Sequence, residues 1–149
     1  MVARFLIYGC AGLVLEVFFT GACAAIFERD PSATGHTYLW MLPIYGAAML
    51  GLEQLSMALG GMPALGRAAV YVAAIYAVEL SAGWLLKASL GRCPWDYGAR
   101  GLSVKGLIRL DYAPAWYAAA LLFDPFHRVV VASLAHVSLG QLWAVAGLG

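Results

Sequence analysis

Long apolar runs separated by short polar stretches make up most of this chain. The runs cover residues 5–27, 38–59, 67–90, 112–123 and 129–148. A helix needs about 20 predominantly apolar residues to cross the roughly 30 Å hydrocarbon core of a bilayer. All of the runs except the fourth have that length. The pattern therefore predicts an all-α polytopic transmembrane bundle of about five membrane segments, the fourth of them short, tilted or kinked.

The stretch from 91 to 111 interrupts this pattern. It is rich in glycine and carries Asp96 together with several cations, so it is too polar for a span. Its centre holds a short apolar sequence, of a length typical of re-entrant or interfacial segments. We predict such a loop here. A second polar stretch, at 124–128, predicts a turn between the fourth and fifth segments.

A tyrosine followed eight residues later by a glutamate occurs in each of the first three runs. The pairs are Tyr8 with Glu16, Tyr45 with Glu53, and Tyr71 with Glu79. Segments 7–16 and 44–53 agree at seven of ten positions. An acidic residue at the centre of a membrane helix costs roughly 2.5 to 3.5 kcal/mol, so it is usually paired, protonated or in contact with water. The repeat predicts three carboxyls at similar depth, at least one of them carrying a proton.

Two interpretations of these glutamates remain open. In one, they form a proton- or cation-binding site in a solute path; in the other, they are protonated and bond to the repeat tyrosines of the antiparallel neighbour. We expect Arg67 to supply the counter-charge and Asp96 to line the mouth of the path or form a turn. Trp95 and Tyr97 suit interfacial anchors. The candidate path residues are Glu16, Glu53, Glu79, Asp96, Arg67, Tyr45, Tyr71 and Trp95.

Small residues at four-residue spacing point to helix contacts. Ala47 with Gly51, and Ala73 with Ala77, would let two helices approach closely. The sequence predicts that both pairs lie at such contacts.

Composition agrees with a membrane protein of one domain, residues 1–149. The chain is 63% hydrophobic and 11% charged, with a mean hydropathy of +0.80. Nine Lys and Arg against eight Asp and Glu leave no basic stripe for nucleic acid. The first run is too long for a cleaved signal peptide and contains Glu16, so we expect it to be retained. These features predict a multi-pass protein of the cell membrane.

The cations are unequally divided between the two sides of the predicted bundle. One side holds Arg4, Arg67 and Arg128. The other side holds Arg29, Lys87, Arg92, Arg100, Lys105 and Arg109. The positive-inside rule then places residues 91–111 in the cytoplasm.

Signatures of several chemistries are missing from the sequence. The three cysteines form no CxxC pair, the histidines no HExxH motif, and no Walker or other glycine-rich nucleotide motif occurs. We therefore expect no metal and no cofactor. If ATP drives this protein, the ATPase is a separate chain.

Several of these residues together resemble a known family. They are the glycine-rich first helix with Glu16, IYG at 44–46 with Glu53, Gly66 and Arg67 with Tyr71 and Glu79, CPWDY at 93–97, and Gly106 with Tyr112 and Trp116. The chain resembles the CmpB-like ABC-transporter type IV family and its vertebrate transmembrane relatives over about residues 5–125, with the fifth span outside. It departs from the family pattern at Gly98 and Arg109. The resemblance implies a small polytopic transporter component and no established substrate.

The predicted function is that of a transporter, or transporter component, for a small solute or cation that uses the intramembrane carboxylates. The alternatives are a membrane-embedded enzyme acting on a lipid or isoprenoid, and a non-transporting interaction subunit. A pocket open to water would favour transport, and one open sideways to lipid would favour the enzyme. Expected partners are the bilayer, a solute, proton or cation, a separate ATPase subunit and a second copy of the chain.

Overall fold

The fold of this chain is mostly helical in the computed structural model, which describes residues 1–98 and 101–136. The helices are α1 (Val2–Phe27), α2 (Met41–Ala58), α3 (Ala64–Leu90) and α4 (Ala113–His136). A two-stranded antiparallel hairpin lies between α3 and α4, with β1 (Ser103–Val104) and β2 (Ile108–Arg109). A 3-10 turn (Leu110–Tyr112) leads into α4. The all-α class is confirmed.

Helices α1 and α2 form an antiparallel pair held at short range by glycine. A Cβ atom added at Gly12 would lie 2.4 Å from the ring of Tyr45, and one at Gly9 would lie 2.7 Å from the Leu42 carbonyl oxygen. On the other helix, a Cβ at Gly46 would meet the Phe5 ring at 2.8 Å. Helices without a hydrophobic driving force between them associate through this kind of close backbone approach.

Helices α3 and α4 complete the bundle around two small cores. The first core contains Leu52, Ala68, Tyr71, Ala120 and Phe123, from α2, α3 and α4. The second contains Met41, Leu86 and Trp95, and so joins α2 and α3 to the loop after α3. Helix α3 ends at Gly91, whose φ of +74° is the left-handed conformation that commonly ends helices.

Residues 91–98 and 101–111 fold back on α3, the first range as a loop and the second as a hairpin and a turn. The indole nitrogen of Trp95 donates to the Leu107 carbonyl at 3.1 Å, and Leu107 packs against Gly83. Lys105 and Gly106 both have positive φ, as a type I′ hairpin turn requires. The apolar residues that suggested a re-entrant or interfacial segment pair with one another and cover α3 instead.

Helix α4 is continuous where the sequence predicted a turn at 124–128. Pro125 lies inside the helix, and the polar residues around it point into the bundle, where Asp124 pairs with Arg67 and His127 lies beside Glu53. Their polarity therefore reflects buried pairing and not exposure in a loop. The separation of a fourth and a fifth span at this point is wrong, and residues 137–148 of the predicted fifth span lie outside the described residues.

Three helical stretches in the described residues are long and apolar enough to cross a membrane. They are Val2–Phe27, Ala64–Leu90 and Leu110–His136. Helix α2 has 18 residues and carries Glu53 and Gln54, and it is not among the three. The chain is thus a polytopic membrane protein by length and composition, while five segments are not confirmed.

The two pairs of small residues lie outside the helix contacts predicted for them. Ala47 and Gly51 line an apolar groove of about 560 Å³ between α2 and α3, and no atom lies within 4 Å of a Cβ added at Gly51. Ala73 and Ala77 are also exposed. This prediction is wrong for the single chain, because other small residues, at the α1–α2 contact, provide the close approach.

The glycine contact predicts opposite effects for two Gly-to-Ala changes. Gly12→Ala forces the Tyr45 ring away and should destabilise the protein by about 1 to 3 kcal/mol, as overpacking does. Gly51→Ala meets nothing and should stabilise α2 by roughly 0.5 to 1 kcal/mol through helix propensity. Thermal unfolding in detergent measures both. A Gly12→Ala protein as stable as wild type would contradict this account of the α1–α2 contact.

Candidate functional site

The three membrane glutamates do not form one cluster. Glu53 lies with Arg4 and His127 towards the end of the bundle where α1 begins. Glu16 and Glu79 lie near each other towards the CPWDY loop. The structure therefore divides the predicted carboxylate set into two environments with different partners.

Glu53 is 4% exposed and has three partners. The Tyr8 hydroxyl donates to its Oε1 at 2.5 Å, and Arg4 Nη1 lies 3.2 Å from its Oε2. His127 Nδ1 lies 3.3 Å from Oε1 and 2.8 Å from the Tyr8 hydroxyl. Both carboxylate oxygens of Glu53 have partners, and one of these is the guanidinium of Arg4, which is always charged. This carboxylate therefore joins α1, α2 and α4 as a structural group.

Asp124 forms a second, similar network. Arg67 Nη2 lies 2.5 Å from its Oδ2, while the hydroxyls of Tyr71 and Ser56 donate to its Oδ1 at 2.9 and 3.0 Å. The network joins α2, α3 and α4. Arg67 and Tyr71 were predicted to lie with the glutamates, and they pair with this aspartate instead. Arg67 precedes Glu79 by twelve residues, about 18 Å along a helix, which explains why the two do not meet.

The second environment, which we call the acid pocket, comprises Glu16, Glu79, Thr37 and Tyr45. The Thr37 hydroxyl donates to Glu16 Oε2, and Tyr45 lies near the Glu16 carboxyl. Glu79 is 7% exposed and lies near Glu16. Its Oε2 is buried and has no hydrogen-bond partner among the described residues. The pocket therefore contains one acceptor that nothing in this part of the chain satisfies.

The charges of the acid pocket are also unbalanced. In the described ranges 1–98 and 101–136, the ion pairs involve Glu53, Asp124 and Asp111, and neither acid of the pocket takes part in one. Isolated carboxylates in a bilayer are unfavourable and are normally paired, protonated or hydrated. Neither acid has a cation partner among the described residues, so water, a proton or another cation would have to compensate the pocket. No group of three or more His, Cys, Asp or Glu suited to a metal occurs in the described residues.

A polar cavity of about 400 Å³, which we call the loop cavity, lies beside the CPWDY loop. It is lined by Asp96, Tyr97, Gly98 and Arg109. Asp96 Oδ1 accepts a hydrogen bond from the Gly98 amide at 2.8 Å. This bond closes the turn that the sequence analysis gave as one of two roles for Asp96. Burial, helped by the carboxylates of the acid pocket, raises the pKa of Tyr97 well above its ordinary range, so its hydroxyl stays protonated.

Trp95 does not line the loop cavity or the acid pocket. It is 6% exposed, packs with Met41 and Leu86, and bonds to the hairpin through its indole nitrogen. Trp95 therefore holds the CPWDY loop against α3. It had been predicted to be an interfacial anchor and a path residue, and the structure gives it this packing role instead.

Sequence reasoning missed several residues of these networks. Asp124 and His127 had been assigned to a turn, although their three-residue spacing places them on one helical face. Tyr97 had been assigned to the membrane interface. Arg4 and Thr37 carried no motif that marked them, because their partners are distant in sequence.

Three apolar helices around buried polar networks define this chain as an integral membrane protein. A sequence model of the family described as "Putative ABC-transporter type IV" matches residues 3–148. The chain belongs to this family, as the sequence motifs had predicted. The match continues past Phe126, so the expectation that the family resemblance ends near residue 125 is wrong. No solved structure matches the chain.

The Asp124 network predicts a large loss of stability when its acceptor is removed. Asp124→Ala leaves Arg67 and Tyr71 unpaired in the bundle, and breaking a buried ion pair in this way costs about 3 to 5 kcal/mol. Asp111→Ala is the matched control, because the Asp111–Arg109 pair is more exposed and such pairs contribute roughly 0 to 1 kcal/mol. Unfolding in detergent compares the two.

The double variant Arg67→Met/Asp124→Ala tests the pairing itself. It should lose less stability than Asp124→Ala alone, since no buried charge is left unpaired. Additive losses would contradict the proposed interaction.

Proposed function

We propose that this protein is a transporter, or a transporter component, in which Glu16 and Glu79 bind a proton or a small cation. One observation supports this most directly: the Oε2 atom of Glu79 is buried without a partner beside a second carboxyl. Glu53 and Asp124, by contrast, each have a cationic partner. A group left uncompensated in a membrane helix is by default a candidate for function.

The arrangement of the acid pocket suits reversible binding. The Thr37 hydroxyl donates to Glu16 and holds its carboxyl in place as an acceptor. Glu79 Oε2 has no donor among the described residues, so it is available to share a proton with Glu16 or to contribute to a cation's oxygen ligands. Hard cations such as Na⁺ take carboxylate and hydroxyl oxygens, the groups that this pocket supplies.

The position of the acid pocket favours transport over the enzyme alternative. It lies towards the CPWDY loop, and the polar loop cavity beside that loop suits access from water. The apolar groove between α2 and α3 opens between helices, yet Gln54 is the one polar side chain among its lining residues, so it lacks an acid or base for lipid chemistry. An ATPase partner, which the family name suggests, would be a separate chain because this sequence has no nucleotide-binding motif.

The interaction-subunit alternative has an observation of its own. Ala47, Gly51, Gln54 and Ala58 lie on one exposed face of α2. A helix of another chain could pack closely on such a face. Such a contact is compatible with a role as a transporter component.

Glu79→Gln tests the proposed site because glutamine keeps the shape of the acid and cannot exchange a proton. The wild type should gain stability when NaCl or KCl replaces choline chloride, or when pH is lowered from about 9 to about 5, because a proton or cation that binds the folded state stabilises it. Binding at tenfold above Kd adds about 1.4 kcal/mol. In Glu79→Gln the fold should persist and this response should disappear. Unfolding temperature in detergent is the readout, with proton uptake into proteoliposomes that contain a pH-sensitive dye.

Two further variants make the result decisive. Glu28→Gln removes an exposed carboxylate after α1 and should respond as wild type does. Glu79→Leu removes an unpaired buried polar group, which costs about 1 to 3 kcal/mol, and should unfold at or above the wild-type temperature. A Glu79→Gln protein that keeps the full pH and cation response would contradict the proposed site.

A further inference from the structure

The connection between α1 and α2 turns back and runs along α1. Its residues 33–37, which we call the strap, lie directly on the backbone of that helix. A Cβ atom added at Gly35 would lie 2.1 Å from the Val17 carbonyl oxygen, and one added at Gly21 would lie 2.8 Å from the Ala33 carbonyl oxygen. A side chain at either glycine would force the two segments apart, so the sequence itself permits this close contact.

Polar groups hold the strap on α1. The Thr20 hydroxyl accepts a hydrogen bond from the His36 amide at 2.8 Å and lies 3.0 Å from the His36 carbonyl oxygen. One residue further on, the Thr37 hydroxyl donates to the Glu16 carboxyl. The strap therefore runs from the end of α1 back to a membrane glutamate, which is itself only half-buried.

The turns of α1 beside the strap are suited to lipid. Glu16 precedes the end of the helix at Phe27 by eleven residues, which is about 16 Å along the axis and half of a typical hydrocarbon core. On the side of these turns away from the strap, Leu15, Phe18 and Ile26 are exposed. These large apolar side chains indicate that this part of α1 lies in the bilayer.

The strap itself is unsuited to lipid. From residue 28 to residue 37 the sequence has no apolar side chain larger than alanine or proline. Thr34 and His36 are exposed, and residues 34–37 make no backbone–backbone hydrogen bond in the described part of the chain. Non-helical backbone at membrane depth is tolerated only where protein buries it or where it lines a water-filled space. Because the strap is exposed, water has to reach it.

We propose that the strap is a re-entrant segment and that the water on its exposed side extends from the end of α1 to the Glu16 carboxyl. The strap takes the place of lipid beside Glu16, and its polar backbone keeps that space hydrated. A carboxyl in contact with water exchanges protons and small cations with the solution. The inference deepens the proposed function, on which this last step rests, because it names the side from which a proton or small cation reaches the acid pocket.

Thiol labelling in proteoliposomes tests the position of the strap without any assay of transport. Thr34→Cys and Thr37→Cys are each made in the full chain and treated with a water-soluble maleimide that is present on both sides of the membrane. Mass spectrometry locates the label, so the native cysteines stay in place. The thiolate is the reactive form of cysteine and is suppressed in apolar surroundings, so both strap positions should be labelled readily if water surrounds them.

Leu15→Cys is the matched control, because Leu15 is next to Glu16 in α1 and lies on the side away from the strap. Its thiol should react at least about tenfold more slowly than the strap thiols, since lipid surrounds it. Ser32→Cys, in the exposed turn before the strap, gives the rate of a thiol in water. Each variant is first shown to unfold close to the wild-type temperature. If Thr37→Cys does not, Thr34→Cys decides the test.

Two results would overturn the inference. Slow labelling of a folded Thr37→Cys protein would show that water does not reach Glu16 along the strap. Fast labelling of Leu15→Cys would show that this end of α1 lies outside the bilayer and that the strap is an ordinary surface loop. Fast labelling of the strap with slow labelling of Leu15→Cys supports the inference, whether or not Glu79→Gln abolishes the cation and pH response. The two proposals can therefore fail independently.

Discussion

A carboxylate inside a bilayer must be compensated, and the arrangement of this bundle follows from how each acid meets that requirement. Glu53 is compensated by Arg4 and accepts a hydrogen bond from Tyr8, and His127 Nδ1 lies beside both. Asp124 is compensated by Arg67, again with hydroxyl donors. These contacts run between helices, so the need to neutralise two acids also fixes how the helices pack. The acid pocket stands out by the same requirement, because neither Glu16 nor Glu79 has a cation partner among the described residues.

The tyrosine–glutamate repeat has a structural explanation in the first two helices. Tyr8 of α1 donates to Glu53 of α2, and Tyr45 of α2 lies near Glu16 of α1. Two antiparallel helices with the same spacing can pair reciprocally in this way, while glycines bring the backbones together. The third copy breaks the symmetry. Tyr71 pairs with Asp124, which leaves Glu79 without a tyrosine of its own.

The sequence predicted the class and the first three helices because apolar length and composition determine both. It predicted buried glutamates for the same reason. It did not predict their division, because the partners Arg4, His127 and Asp124 lie far away in the chain and the apolar pattern holds no information on lateral pairing. It misassigned α4, since a proline among polar residues in a helix interior has the composition of a turn. The hairpin at 103–109 was missed because its strands are two residues each.

Scaffold and site are physically separate in this bundle. The Glu53 network joins α1, α2 and α4, and the Asp124 network joins α2, α3 and α4, so the two together connect all four helices. Both lie away from the CPWDY loop. Packing therefore does not depend on an ion pair in the acid pocket. In the proposed function, Glu79 would exchange its proton or cation without a loss of these helix contacts. That freedom is what a binding group needs if it is to load and release a cation while the fold stays in place.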